Sequence, residues 1–147
     1  MCLWQSNATV PGSPADVLEL LTEPDAIARW APVPFEVVEL EGARLASGSR
    51  ARVAGRLAGR SVEFDVDVRR ASAERLELVA DGPISIDVNY RMRPAGSDSE
   101  IEASVSVKGR GLFGRVLAKA TEALLAAGAL RMSLERLADE LQPALAA

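Results

Sequence analysis

The feature that most constrains this chain is residues 35–108, where six strand-like segments follow one another with no connection long enough to hold a helix. The segments are 35–40, 49–57, 60–69, 74–80, 84–93 and 100–108, separated by clusters of Gly, Pro, Ser and Asp. Parallel neighbours need a crossover of a dozen or more residues, so this spacing predicts an antiparallel meander.

Two of its hairpins can be tested by register. With Ala58-Gly59 as a two-residue loop, Arg52 opposes Asp65, Arg50 opposes Asp67 and Val53 opposes Phe64. Around PAGSDS, setting Met92 against Ile101 also sets Tyr90 against Ala103, Val88 against Val105, Arg91 against Glu102 and Arg93 against Glu100. Side chains alternate faces along a strand, so a slip of one residue would destroy both the charge pairs and the apolar pairs. Each hairpin therefore has one wet face of opposite charges and one apolar face that needs a cover. The arginine run SRARVAGRLAGR reads accordingly as a solvated face, neutralised by Glu63, Asp65 and Asp67, rather than as a phosphate-binding patch.

The cover is supplied by the end of the chain. In 112–141 the residues Val116, Ala120, Ala123, Ala127, Leu130, Leu134, Leu137 and Leu141 follow a helical period, which predicts one helix of about thirty residues, roughly 45 Å long. Its middle, ALLAAGAL at 123–130, has no polar face and little bulk. Such a window suits either the wall of a cavity or a tight packing contact, and a second copy of the chain would cover any apolar side left over.

The front of the chain changes period twice. Residues 3–10 alternate as a strand with Trp4 and Val10 on one face. PGSPADVLELL then reads as a helix, with Ser13 as N-cap, Pro14 at the first helical position and Asp16 complementing the dipole. TEPDAIARWAP reads as a second short helix with Thr22 as its cap and Pro32 as its stop.

KGRGLFGR spells G-x-G-x-x-G at Gly109, Gly111 and Gly114, but the dinucleotide fingerprint requires a parallel second strand after its helix, and here the chain ends in the helix. The segment reads instead as a flexible hinge from an edge strand into the helix, with Gly supplying positive φ. Lys108, Arg110, Arg115 and Lys119 gather at the helix start and Glu135, Asp139 and Glu140 at its end, both opposing the dipole. The basic group is either a solvated rim on a helix held by packing or a rim facing an acidic head group or partner.

Composition narrows the chemistry. The 147 residues include no histidine and a single cysteine, Cys2, and the net charge is -4. These counts remove an internal disulfide, a cysteine-built zinc site and the commonest general acid/base, and they argue against a nucleic-acid partner. No residue set qualifies as catalytic or metal-binding, and no cofactor is implied. The start lacks a basic region followed by a long apolar stretch, and 123–130 is far short of the ~20 apolar residues of a membrane span. The expected location is therefore the cytoplasm, and 1–147 is expected to form a single domain.

The order strand, two short helices, six strands, long helix, opened by VPGSPADVLELLTEPDAIARWAP, resembles the START-like superfamily. This group, also called SRPBCC, includes polyketide cyclase/dehydrase-like and birch-pollen-allergen-like proteins. The likeness rests on Val10, Pro14, Val17 with Leu21, Thr22 with Pro24, and Trp30; the glycine-containing step before the last helix is also similar to the branch associated with carbon monoxide dehydrogenase. The resemblance implies an α+β helix-grip fold, with a curved antiparallel sheet of about seven strands wrapped around a long C-terminal helix and enclosing an apolar cavity. It implies binding or transport of a small hydrophobic ligand, lipid- or polyketide-like. Expected lining residues are Trp4, Trp30, Phe35, Phe64, Tyr90, Met92, Leu124 and Ala127. The inward positions Val62, Phe64, Val66, Val68, Ile86, Val88, Tyr90 and Met92 are nearly all apolar, which weighs against the alternative of a cyclase or dehydratase using Tyr90 or Asp87. A protein-interaction or assembly module is the third reading.

Overall fold

The computed structural model describes residues 2–31, 35–57, 59–109 and 111–141. Seven strands form one antiparallel sheet in the order β1-β7-β6-β5-β4-β3-β2. They are β1 (Cys2–Pro11), β2 (Phe35–Leu40), β3 (Arg50–Leu57), β4 (Arg60–Ala71), β5 (Arg75–Asp81), β6 (Ile84–Ala95) and β7 (Asp98–Gly109). Between β1 and β2 lie α1 (Pro14–Thr22) and α2 (Pro24–Trp30), and the chain continues after β7 into α3 (Gly111–Ala126) and α4 (Ala129–Leu141).

The registers expected for both hairpins are present pair by pair, from Arg52 opposite Asp65 to Arg93 opposite Glu100. On the wet face Arg52 lies 3.4 Å from Asp65 and 3.9 Å from Glu39. The expected stop at Pro32, the loop residue Ala58 and the basic residue Arg110 lie outside the described residues. Irregularities in β2 at Val37/Glu39 and in β4 at Val68/Arg70 shift the register by one. Such bulges bend a strand and add twist, which curves the sheet toward the helices. β7 is not an edge strand as its place in the sequence suggested: β1 pairs with it along its length, from Cys2 opposite Val107 to Pro11 opposite Asp98.

α1 begins as its sequence dictates. Ser13 and Asp16 exchange the two hydrogen bonds of a capping box, and Pro14 occupies the first turn. Thr22 does not cap α2. It ends α1, its hydroxyl donating to the Leu18 carbonyl oxygen at 2.7 Å, while Arg44 donates to the Glu19 carbonyl oxygen at 2.9 Å and to Thr22 Oγ1 at 3.2 Å. A cation at a helix C-terminus is favourable, so Arg44 closes α1 and ties the loop before β3 to it.

The C-terminal segment is two helices rather than one. Gly128 has φ +97°, in the left-handed region, and its N–H donates to the Leu125 carbonyl oxygen at 3.1 Å. A glycine in this conformation ends a helix, and the chain restarts at Ala129. α3 packs on β6 and β7; α4 packs on β1 and reaches α1 and α2. In α4 the buried residues Leu130, Ser133, Leu134 and Leu137 match the expected face. In α3 they do not: Gly114, Leu117, Ala118, Thr121 and Leu125 face the sheet, while Val116 and Ala123, and Ala127 just past the helix end, are exposed. The core lies between the sheet's concave face and the helices, built from residues such as Leu21, Phe64, Val68, Leu76, Tyr90, Ile101 and Leu117.

The glycines of KGRGLFGR are placed by contact more than by conformation. Gly111 alone has positive φ, +67°. A Cβ on Gly109 would lie 2.4 Å from the Gly114 carbonyl oxygen, and one on Gly114 would lie 2.7 Å from the carbonyl oxygen of Pro83. The segment expected to be a flexible hinge is thus a close backbone contact that clamps the start of α3 onto the end of β7 and the β5–β6 turn.

Candidate functional site

A cavity of about 120 Å³ lies between the concave face of the sheet, α2 and the last turn of α3. Its sheet wall is built from alternate residues of successive strands: Val53 of β3, Val66 of β4, Leu78 and Ala80 of β5, Ile86, Val88 and Tyr90 of β6, and Val105 of β7. Period-two alternation delivers these side chains to one face without any local motif. Phe35 and Val37 close the β2 side, Ile27, Trp30 and Ala31 the α2 side, and Thr121 and Leu125 the α3 side.

No charged side chain is among the residues that line it. The Thr121 hydroxyl is already committed, donating to the Leu117 carbonyl oxygen at 2.9 Å. Two other polar groups sit at the α2 wall: Trp30 and Tyr90 meet edge to face, with ring centroids 5.9 Å apart, and neither Trp30 Nε1 nor Tyr90 Oη has a hydrogen-bond partner among the described residues. Burial pushes the Tyr90 phenol up to about 12, with the Ser133 hydroxyl opposing the shift in smaller measure. Ser133 Oγ–H donates to the Trp30 carbonyl oxygen, and no hydrogen bond of acceptable geometry reaches Tyr90 Oη. The phenol is therefore a neutral, unpaired group. What these walls offer chemically is apolar contact. A phenol held near 12 neither gives up nor takes a proton close to neutral pH.

A larger hollow of about 890 Å³ opens on the opposite, solvent face of the sheet. Its walls mix Glu39, Glu41, Asp65, Asp67 and Asp81 with Arg50, Arg52 and Arg69, the cross-strand charges of a solvated surface, and it is not enclosed. Among the described residues no group of three or more Asp, Glu, Cys or His is placed to hold a metal ion, and no helix is long and apolar enough to cross a membrane.

Solved structures share this architecture end to end. A Chromobacterium violaceum protein superposes with a TM-score of 0.71 at 14% identity, covering 96% of this chain and 98% of its own. A Thermus thermophilus protein gives 0.69 at 19% identity, with 97% and 99% covered. A START superfamily protein from Mycobacterium smegmatis gives 0.69 at 14% identity, with 95% and 97% covered. No curated protein matches the chain in sequence. The family model described as "Polyketide cyclase / dehydrase and lipid transport" matches residues 1–142. The chain belongs to that family.

Within this polyketide cyclase/dehydrase and lipid transport family member, the expected lining residues divide into three groups. Trp30, Phe35 and Tyr90 line the cavity together. Phe64 and Met92 are buried in the core beside it, Phe64 meeting Phe35 with centroids 5.1 Å apart, and Trp4 lies on β1, half-buried, opposite Val105 but not among the lining residues. Leu124 and Ala127 point to solvent, and Leu125 takes the place expected of Leu124. The error is one residue of helical phase, about 100°, and its cause is that α3 is apolar on both sides. Sequence reasoning also missed Leu21, Ile27, Ala31 and Leu45, which reach the cavity from the α1–α2 corner and the loop before β3. The i, i+3, i+4 stripe of α1 marks Leu21 as inward, whereas no local signal marks Leu45.

Proposed function

We propose that this family member binds a compact apolar molecule in the cavity between the sheet, α2 and α3. The observation that carries this reading is a cavity of about 120 Å³ whose lining is almost wholly aliphatic and aromatic. An apolar cavity of about 150 Å³ stays dry and takes up benzene, whereas sites for larger ligands run to roughly 300–1,000 Å³. The volume therefore fits one aromatic ring or a short branched chain, the size of a fragment of a lipid or polyketide rather than the whole of one. The family's description and the START-like architecture support hydrophobic ligand binding in general. The uncharged lining favours binding over proton-transfer chemistry at this place.

The test is thermal unfolding and isothermal calorimetry with toluene, indole and palmitate. Toluene or indole at a hundred times its dissociation constant is expected to stabilise the fold by about 2.7 kcal/mol. The variant Ala80→Leu, which places a larger side chain on the cavity wall, is expected to remain folded and lose that response. Absence of binding by all three probes would sink the reading, and tighter binding of palmitate than of toluene would sink its size limit.

A further inference from the structure

α3 carries two apolar faces, and only one of them is used by the fold. The outer face presents Leu112 at 83% exposure, Phe113 at 47%, Val116 at 56% and Leu124 at 41%. At 100° per residue, Leu112, Val116, Ala120, Ala123 and Ala127 form a continuous stripe, with Phe113 and Leu124 along one border. Arg115 and Lys119 run along the other border, both exposed. Lys108, also exposed, precedes the helix, and the Arg60 guanidinium lies 5.3 Å above the Phe113 ring. Among the described residues, Lys108, Arg115 and Lys119 form no ion pair, and the only acidic residue of α3 is the half-buried Glu122. The patch is therefore positive on a chain whose net charge is -4. Basic residues in the first turns also oppose the helix dipole, a cost that an anionic partner would relieve.

We propose that the outer face of α3 docks on an anionic lipid bilayer, with Leu112, Phe113 and Val116 entering the headgroup boundary and Arg115, Lys119 and Arg60 meeting lipid phosphates. A helix with a wide apolar face and a cationic border lies in the plane of a membrane interface in this way, its apolar side chains buried about 5–10 Å. The Gly109–Gly114 contact holds the helix start rigidly on the sheet, so the apolar residues are presented without first having to be ordered. A charge-mixed patch would fit another protein equally well; a border whose two exposed cations form no ion pair among the described residues, with Glu122 half-buried beside them, fits an anionic surface.

The experiment is co-sedimentation of the full chain with vesicles of equimolar phosphatidylcholine and phosphatidylglycerol, and with vesicles of phosphatidylcholine alone. Binding is expected to the mixed vesicles, at least about tenfold weaker to the neutral ones, and lost in high salt. The pair Leu112→Ser with Phe113→Ser should abolish it. The pair Arg115→Glu with Lys119→Glu should weaken it about tenfold or more. Both sets are at exposed positions, and circular dichroism should show native folding for each. Failure of the wild-type chain to bind mixed vesicles, equal binding to neutral ones, or undiminished binding by either pair would overturn the proposal. So would light scattering that shows a dimer dissolved by Leu112→Ser with Phe113→Ser, since a second copy would then own this face.

Discussion

Gly109 and Gly114 meet backbone to backbone, so that a Cβ on Gly109 would fall 2.4 Å from the Gly114 carbonyl oxygen. Neither atom can retreat, because one belongs to the end of β7 and the other to the first turn of α3. Gly109→Ala and Gly114→Ala are each expected to cost about 1–3 kcal/mol or more through overpacking against backbone. At Gly111 a Cβ meets nothing within 4 Å, so Gly111→Ala should cost about 1–2 kcal/mol, from its φ of +67° alone. Urea unfolding midpoints of the three variants check both values and their order.

Gly128 ends α3 because its φ of +97° suits no side chain. Gly128→Ala is expected to destabilise the protein by about 1–2 kcal/mol. Ala127→Phe, one residue earlier and exposed, should fold with a change within about 0.5 kcal/mol. Equal losses at both positions would contradict the break.

Much of the sheet was legible beforehand because charge pairing and apolar pairing both depend on the same period of two, and two hairpins had to satisfy both at once. Thr22 was harder, since a threonine between two helices serves equally as the end of one or the cap of the next, and only Arg44, arriving from a distant loop, decides it. The β1–β7 pairing joins the two ends of the meander's chain and leaves no local mark. In the site, Trp30, Phe35 and Tyr90 were legible as large inward residues. Leu125 was not, because periodicity finds an apolar stripe but cannot say which of two stripes faces the core. Gly109 and Gly114 matched a known spacing whose meaning here is a contact in space.

Tyr90 is the only tyrosine of the chain, so ultraviolet absorbance of tyrosinate reports on it alone. Its phenol, held near 12 in the fold, should titrate near 10 in urea. The folded value is the higher one, so the associated stability is complete below pH 10 and is lost as the pH rises from 10 toward 12, at most about 3 kcal/mol. Tyr90→Phe should remove this alkaline loss. It should not lower stability at neutral pH, because the hydroxyl it deletes is buried and unpaired. A folded-state midpoint near 10 would contradict the burial.

Ser133 joins α4 to the end of α2 by donating to the Trp30 carbonyl oxygen inside the core. Ser133→Ala leaves that acceptor without its partner and is expected to cost about 1–3 kcal/mol. The loss should appear in urea midpoints. Arg29→Ala removes the exposed ion pair with Glu140, 2.6 Å long, which links the same two helices, and should cost no more than about 1 kcal/mol.

The turn at Ala127–Gly128 divides the C-terminal segment into two separately anchored pieces: α3 clamped by glycines at its start, and α4 tied to α2 by Ser133 and Glu140. Ala127, the solvent-facing residue of that joint, is a place where the chain can carry a foreign group without disturbing either neighbour, as long as Gly128 itself is kept. A fluorophore or short reporter peptide grafted there would stand one helical turn from Leu125, close enough to register occupancy of the interior while touching none of its walls.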